Sequence, residues 1–144
     1  MDWKKNNGGR IIMLAIVGHQ KIPSKKNTMG LRYNKMYKPR NVQEFEMYVG
    51  WIAAQAMKVQ GWEKTNKPVS MSLEVVFGDK RKRDLQNCFG SICDALNGIV
   101  YDDDSQIVFI AARKSYQKNK WGFQINIDLY KEKNDRETTK STSD

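Results

Sequence analysis

The sequence predicts a single α+β domain in which two helices pack on a four-stranded sheet. Apolar and polar residues alternate in two segments, and apolar residues recur at helical spacing in two others. The predicted order along the chain is strand, helix, strand, helix, strand, strand. A chain of 144 residues is long enough for one ordinary domain and too short for two, unless both are minimal.

The predicted domain spans residues 10–131. Residues 1–9 are polar and end in glycines, so we expect a flexible arm, and residues 132–144 form a charged polar tail that we expect to be disordered. The early apolar run Ile11–Val17 is far shorter than the roughly 20 residues that a membrane span needs. No small-residue cleavage site follows it, so we expect a soluble, cytoplasmic protein.

The first half of the domain contains one strand and one helix. Residues 10–18 are rich in Ile and Val, which indicates a short buried strand. Asn41 and Glu44 have the spacing of a capping box, and apolar residues then recur at helical spacing until Gly61. Trp51 and Met47 are expected to widen the apolar face of this helix.

The second half begins with the clearest strand pattern. Residues 69–77 alternate, which predicts a half-buried strand. The next helix is predicted to begin near Asp84 and to stop at Asn97–Gly98. Residues 107–112 and 122–130 are predicted to be two strands of a hairpin, joined by a short polar turn.

The net charge of +9 favours a polyanionic partner, such as nucleic acid or an anionic membrane surface. Residues 20–40 form a predicted loop, and no acidic residue occurs between Trp3 and Gln43. Cations there can neutralise phosphates, and Tyr33 and Tyr37 can stack on unpaired bases. A solvated basic loop is the alternative. The predicted DNA-contacting cations are Lys25, Lys26, Arg32, Lys35, Lys38, Lys80, Arg81, Lys82 and Arg83.

The cysteines and the single histidine are not assigned to catalysis. Cys88 and Cys93 are five positions apart in a predicted helix, where the rise is about 7.5 Å, too far for a disulfide. Without a nearby histidine or a CxxC spacing, both are predicted to be small buried hydrophobic residues. His19 follows a strand, where a hydrogen-bonded structural role is commoner than general-base catalysis.

Acidic residues flank the second helix. Asp84 lies where a strand leads into this helix, and Asp102, Asp103 and Asp104 lie where the chain leaves it. Asp84 alone is commonly a helix N-cap, and the three later carboxylates are compatible with a solvated turn. Together they are hard oxygen ligands of the kind that Mg²⁺-assisted phosphodiester hydrolysis requires. We therefore expect the two acidic groups to converge beside the basic run 80–83, which would bring a phosphate.

The order of PSKKN, a basic run ending in RDLQN, DALNG and YDDDSQI resembles the RusA-type Holliday junction resolvases of phages and prophages. The resemblance extends from about Ile11 to Tyr130. It implies a small homodimeric, Mg²⁺-dependent endonuclease that binds four-way DNA junctions and nicks two symmetry-related strands. It also implies Asp84 and Asp104 as the principal metal ligands, with Gln86 as a third ligand and Asp103 beside them.

Two positions depart from the family pattern. Gln86 stands where the family has a second Asp, and Gly90 stands where it has a lysine. Glutamine keeps an oxygen but loses a charge, which lowers metal affinity, and glycine removes a cation. The alternative is therefore a junction-binding protein with weak or lost nuclease activity. A third possibility is a general RNA or DNA binder that stacks bases on its tyrosines.

Overall fold

The computed structural model describes residues 13–23 and 38–130. The predicted α+β class and element order are confirmed. The arm 1–9, the tail 132–144 and most of the basic loop lie outside the described residues. The elements are β1 (Met13–Gly18), α1 (Arg40–Gln60), β2 (Val69–Phe77), α2 (Leu85–Leu96), β3 (Ile107–Tyr116) and β4 (Gly122–Leu129).

The four strands form one mixed sheet in the order β1-β4-β2-β3. Strand β2 pairs in parallel with β3, and β4 pairs antiparallel with both β1 and β2. The predicted hairpin of the last two strands is therefore wrong. After β3 the chain crosses the end of β2, where the Gln117 and Asn119 amides donate to the Phe77 and Gly78 carbonyls. It then fills the slot between β1 and β2, where the alternating apolar residues of β4 are buried.

The core lies between one face of the sheet and the two helices. The alternation predicted for β2 is confirmed, because every second residue from Val69 to Phe77 is buried. On the helices, Phe45 and Val49 of α1 and Ile92 of α2 belong to the same buried cluster. This arrangement leaves the opposite face of the sheet without a helix layer in the part of the chain that the structure describes.

Helix α1 begins differently from the prediction. Pro39 is the N-cap residue, and its carbonyl accepts hydrogen bonds from two backbone amides of the first turn. The capping box predicted at Asn41 is wrong, because Asn41 lies inside the helix and the Glu44 carboxylate accepts from Arg40 Nε at 3.1 Å. Trp51 and Met47 are 64% and 75% exposed, so neither widens the buried face.

Both helices end where the sequence predicts. Gly61 follows α1 with φ of 79°, and Gly98 follows α2 with φ of 77°, values that favour glycine. Cys88 and Cys93 lie within α2, are buried and do not form a disulfide, as predicted. The second helix is thus a 12-residue rod packed on the sheet between two loops that carry the acidic residues.

Candidate active site

Asp84 is the N-cap of α2. Its Oδ1 accepts a hydrogen bond from the Gln86 backbone amide at 2.9 Å, which satisfies one of the unpaired amides at the helix start. The cap occupies one carboxylate oxygen and leaves the other available to a ligand. The residues Asp84 and Gln86 are both exposed, so the two predicted ligands of this helix end lie in one solvent-accessible place.

The basic run before Asp84 divides into two kinds of residue. Residues 80–82 are exposed. Arg83 is largely buried, and its Nη2 donates to both carboxylate oxygens of Asp79 at 2.8 Å. Its guanidinium also lies 4.9 Å from the ring centroid of Trp121 and 5.3 Å from that of Phe77. Arg83 is therefore already engaged by a carboxylate and two aromatic rings, and it is less available to a phosphate than the exposed residues 80–82.

A lysine from β3 adds a further cation at this helix end. Lys114 pairs in register with the buried Val75, so its side chain leaves the sheet on the helix side. Its Nζ donates to the Arg83 carbonyl at 2.9 Å, one residue before Asp84. Burial raises the pKa of the Cys88 thiol, and the charges of the neighbouring groups act on it as well, including that of Lys114. Lys114 is not predicted from the sequence, because nothing in the sequence shows that β3 ends beside α2.

The second acidic group forms a tight turn before β3. Asp103 caps the one-turn 3₁₀ helix Asp104–Gln106, and its Oδ2 accepts from the Ser105 amide at 2.9 Å. Hydrogen bonding to Ser105 lowers the pKa of Asp103 below its ordinary value, so this carboxylate stays charged at neutral pH. The partly exposed Asp104 carboxylate makes no hydrogen bond or ion pair with any other described residue.

Gln106 holds this acidic turn in place. Its Oε1 accepts from the Asp103 amide at 2.8 Å, and its Nε2 donates to the Thr65 and Lys67 carbonyls, each at 2.9 Å. The turn is therefore anchored to the segment that precedes β2. Sequence reasoning did not assign a role to Gln106, although a glutamine two residues beyond the acidic pair belongs to the pattern quoted above.

The two acidic groups do not meet within one chain. Asp84 precedes α2 and Asp104 follows it, and a 12-residue helix is about 18 Å long. The register of β2 and β3 agrees with this separation. Asp104 lies near the Val69–Ile107 pair at one end of the two strands, and Asp84 lies beyond the Phe77–Tyr116 pair at the other end. Among the described residues, no cluster of three His, Cys, Asp or Glu side chains is arranged to hold a metal.

The expectation that both groups share one Mg²⁺ is therefore not met within a single chain. It assumed that the two ends of α2 fold toward one edge of the sheet. Instead α2 runs back along β2 so that β3 can pair in parallel with β2, and this crossover separates the two ends of the helix. One chain therefore carries two separate groups of predicted ligands, called half-sites below: Asp84 with Gln86, and Asp103 with Asp104.

The basic loop is described only at its two ends. Residues Lys25, Lys26, Arg32 and Lys35 lie outside the described residues, as do Tyr33 and Tyr37. Lys38 is described, and its Nζ contacts Glu46 Oε1 at 2.8 Å while its side chain stays 39% exposed. Its role in DNA binding stays a prediction.

The two edges of the sheet differ. The outer edge of β1 is blocked at Ala15, because the Gln60 side chain donates to the Ala15 carbonyl at 2.7 Å and accepts from the Ala15 amide at 2.9 Å. The other edge strand, β3, exposes consecutive apolar side chains at Val108 (53%), Phe109 (57%) and Ile110 (50%). A long apolar strand edge readily pairs with another strand.

No described helix is long and apolar enough to cross a membrane.

Comparison with known proteins adds one match. The sequence model described as endodeoxyribonuclease RusA matches residues 19–128, which is most of the chain. The match includes both acidic groups, α2 and the open β3 edge. No curated protein matches the chain.

Proposed function

Because the chain belongs to the RusA endodeoxyribonuclease family, we propose that it is a Mg²⁺-dependent nuclease that resolves four-way DNA junctions by paired symmetric nicks. The observation that carries the proposal is the start of α2. There Asp84, with one carboxylate oxygen outside its cap, follows a basic run whose first three residues, 80–82, are exposed. Cations can hold the phosphate backbone, and a carboxylate can hold the metal ion that acts on it.

We further propose that the protein is a homodimer joined along β3. The apolar edge formed by Val108, Phe109 and Ile110 supports this, since a second copy would remove it from water. Gln60 already uses the outward amide and carbonyl of Ala15 in β1, so β3 is the edge strand better placed to pair with a second copy. Two β3 strands related by a two-fold axis would pair antiparallel.

Such a dimer would complete the two half-sites. In an antiparallel pair the start of one strand lies beside the end of the other. Asp104 precedes β3, and Lys114, near the end of β3, contacts the residue before Asp84. An antiparallel pairing centred on the middle of β3 would thus bring Asp103 and Asp104 of one subunit toward Asp84 and Gln86 of its partner.

Each residue then has a defined task. Asp84, Gln86 and the partner subunit's Asp104 would hold the ion. The partner subunit's Asp103, which caps the turn that carries Asp104, would keep that turn in position. Bound Mg²⁺ would supply an activated water and stabilise charge on the phosphate. The exposed Lys80 and Lys82 would bind neighbouring phosphates of the same strand. Two such sites related by a two-fold axis match the symmetry of a four-way junction, so one dimer would cut two strands.

A junction-binding protein with weak or lost nuclease activity is the second candidate. It is favoured by Gln86, whose neutral side chain gives the half-site at α2 only one charged ligand. The cations and the β3 edge do not depend on that residue, so junction binding and dimerisation would persist in the absence of cutting.

A synthetic four-way junction incubated with and without Mg²⁺ tests the proposal. We expect paired symmetric nicks only with the ion, and we expect Asp84→Asn to abolish cutting while junction binding persists. Glu63→Gln is the matched control, since Glu63 is an exposed carboxylate in the segment between α1 and β2. Equal cutting by the parent protein and Asp84→Asn would refute the site assignment.

Binding selectivity is tested separately. We expect the parent protein to prefer the junction in competition with a duplex of equal length at a stated salt concentration, since phosphate contacts alone are salt-dependent and not structure-specific. Equal affinity for the two would indicate a general nucleic-acid binder instead.

A further inference from the structure

We propose that Lys114 provides the active-site cation that the family pattern places at position 90. This inference rests on the proposed function. It assigns to a residue of β3 a task that the helix itself no longer performs in this chain. Lys114 would contact the phosphate that lies against Asp84, and it would do so from the sheet side of the helix start.

Position 90 offers room for a cation but has none. A Cβ built on Gly90 meets no atom within 4 Å, so no packing contact requires glycine there. Position 90 lies one turn beyond Gln86 on the same helix face, and helical side chains tilt toward the N-terminus. A lysine at this position would therefore extend toward Gln86 and the phosphate beside it.

Lys114 approaches the same helix end from the neighbouring strand. Its ammonium donates to the Arg83 carbonyl at 2.9 Å, and the next residue is the proposed ligand Asp84. The side chain is otherwise exposed, so DNA can reach it. Its present acceptor is a neutral carbonyl. An anionic phosphate oxygen forms a stronger, charge-assisted hydrogen bond, so exchange of one acceptor for the other is favoured.

The other cations nearby are less suited to this task. The Arg83 guanidinium is bound to both oxygens of Asp79 and stacked on two aromatic rings. The Lys80 ammonium lies 5.2 Å from the ring centroid of Tyr116. Lys82 is exposed two residues before Asp84, and no described contact orients it. Lys114 alone among these cations is fixed beside Asp84 by a contact that a phosphate can replace.

The consequence is electrostatic and requires no covalent step. Phosphodiester cleavage increases the charge on the non-bridging phosphate oxygens, and a fixed ammonium stabilises that charge. Lys114 would also add one phosphate contact to the binding surface. It therefore contributes both to salt-dependent binding and to the rate of cutting, and the two effects are measurable separately.

The test compares Lys114→Gln with Lys114→Arg and with Lys58→Gln, a control that removes an equal charge from the last turn of α1. Junction binding is measured across a salt series, and cutting is measured at saturating protein. We expect Lys114→Gln to reduce the slope of log affinity against log salt by about one. We expect cutting to fall on the order of 10²-fold, the usual effect of losing one fixed donor. Lys114→Arg should retain most of both.

A rescue variant tests whether Lys114 takes the place of the missing lysine at position 90 or only lies near it. Adding Gly90→Lys to Lys114→Gln should restore both the salt slope and the cutting rate, because it returns a cation to the same helix end. If Lys114→Gln binds and cuts like Lys58→Gln, the inference is wrong while the proposed function stands. If the parent protein neither prefers nor cuts junctions, the proposed function fails instead, and with it the task assigned to Lys114.

Discussion

Replacement of Gly90 is predicted to stabilise the protein. Glycine inside a helix costs about 1 kcal/mol relative to alanine, through the backbone freedom that it loses on folding. A Cβ at position 90 meets no atom within 4 Å, so the substitution introduces no clash. The full gain should therefore appear for Gly90→Ala, and most of it for Gly90→Lys. For a domain of this size, about 1 kcal/mol raises Tm by roughly 3–5 °C.

Thermal unfolding followed by circular dichroism measures the shift. Gly122→Ala is the matched contrast, because a Cβ there would lie 2.9 Å from the Gly18 carbonyl oxygen of the neighbouring strand, and it should lower Tm. A lower Tm for Gly90→Ala would refute the reasoning, since it would mean that the helix needs glycine at this position. If both variants raise Tm but only Gly90→Lys binds the junction more tightly, the gain in stability comes from the helix backbone and the gain in binding comes from the added charge.

Three further predictions concern the ion pair, the sheet edge and the incomplete ligand set. Hydrogen bonding from Arg83 lowers the pKa of Asp79 from its ordinary value, so the stabilisation from this ion pair is present at neutral pH and is lost as pH falls through the lowered pKa. Asp79→Asn should therefore lower Tm at neutral pH, and its difference in Tm from the parent protein should narrow in acid. Ile110→Lys should give a folded monomer in sedimentation, because it charges the apolar β3 edge, and an unchanged dimer would contradict the proposed interface. Gln86→Asp should increase cutting at limiting Mg²⁺ by roughly tenfold through the added charged ligand, and an unchanged Mg²⁺ dependence would show that Gln86 is not a ligand.

Local patterns in the sequence predicted the elements because each element follows its own periodicity. The alternation in β2 and the glycines after both helices occur where expected. The start of α1 was misplaced because Pro39, whose ring fixes φ, ends the extended segment before Asn41 can act as a cap. Such local errors shift a boundary by one or two residues and leave the fold class intact.

Long-range pairing accounts for the larger errors. The insertion of β4 between β1 and β2 depends on which strand best fills a central slot, and the alternation of residues 122–129 alone does not show its neighbours. The separation of Asp84 from Asp104 follows from the parallel pairing of β2 with β3, which the sequence does not reveal. The same pairing places Lys114 beside the start of α2. The position of Lys114 and the separation of Asp84 from Asp104 therefore have the same structural cause.

Complementation between two inactive variants tests the shared metal site most directly. Asp84→Asn and Asp104→Asn should each lose cutting as homodimers. If each site combines Asp84 of one subunit with Asp104 of its partner, a mixed dimer keeps one intact pair, so mixing the two proteins should restore nicking of a four-way junction. Mixing Asp84→Asn with a chain carrying both substitutions is the control, because no intact pair can form, and it should stay inactive. If the first mixture is as inactive as this control, although subunits exchange, the site is not shared between two copies and the account is wrong.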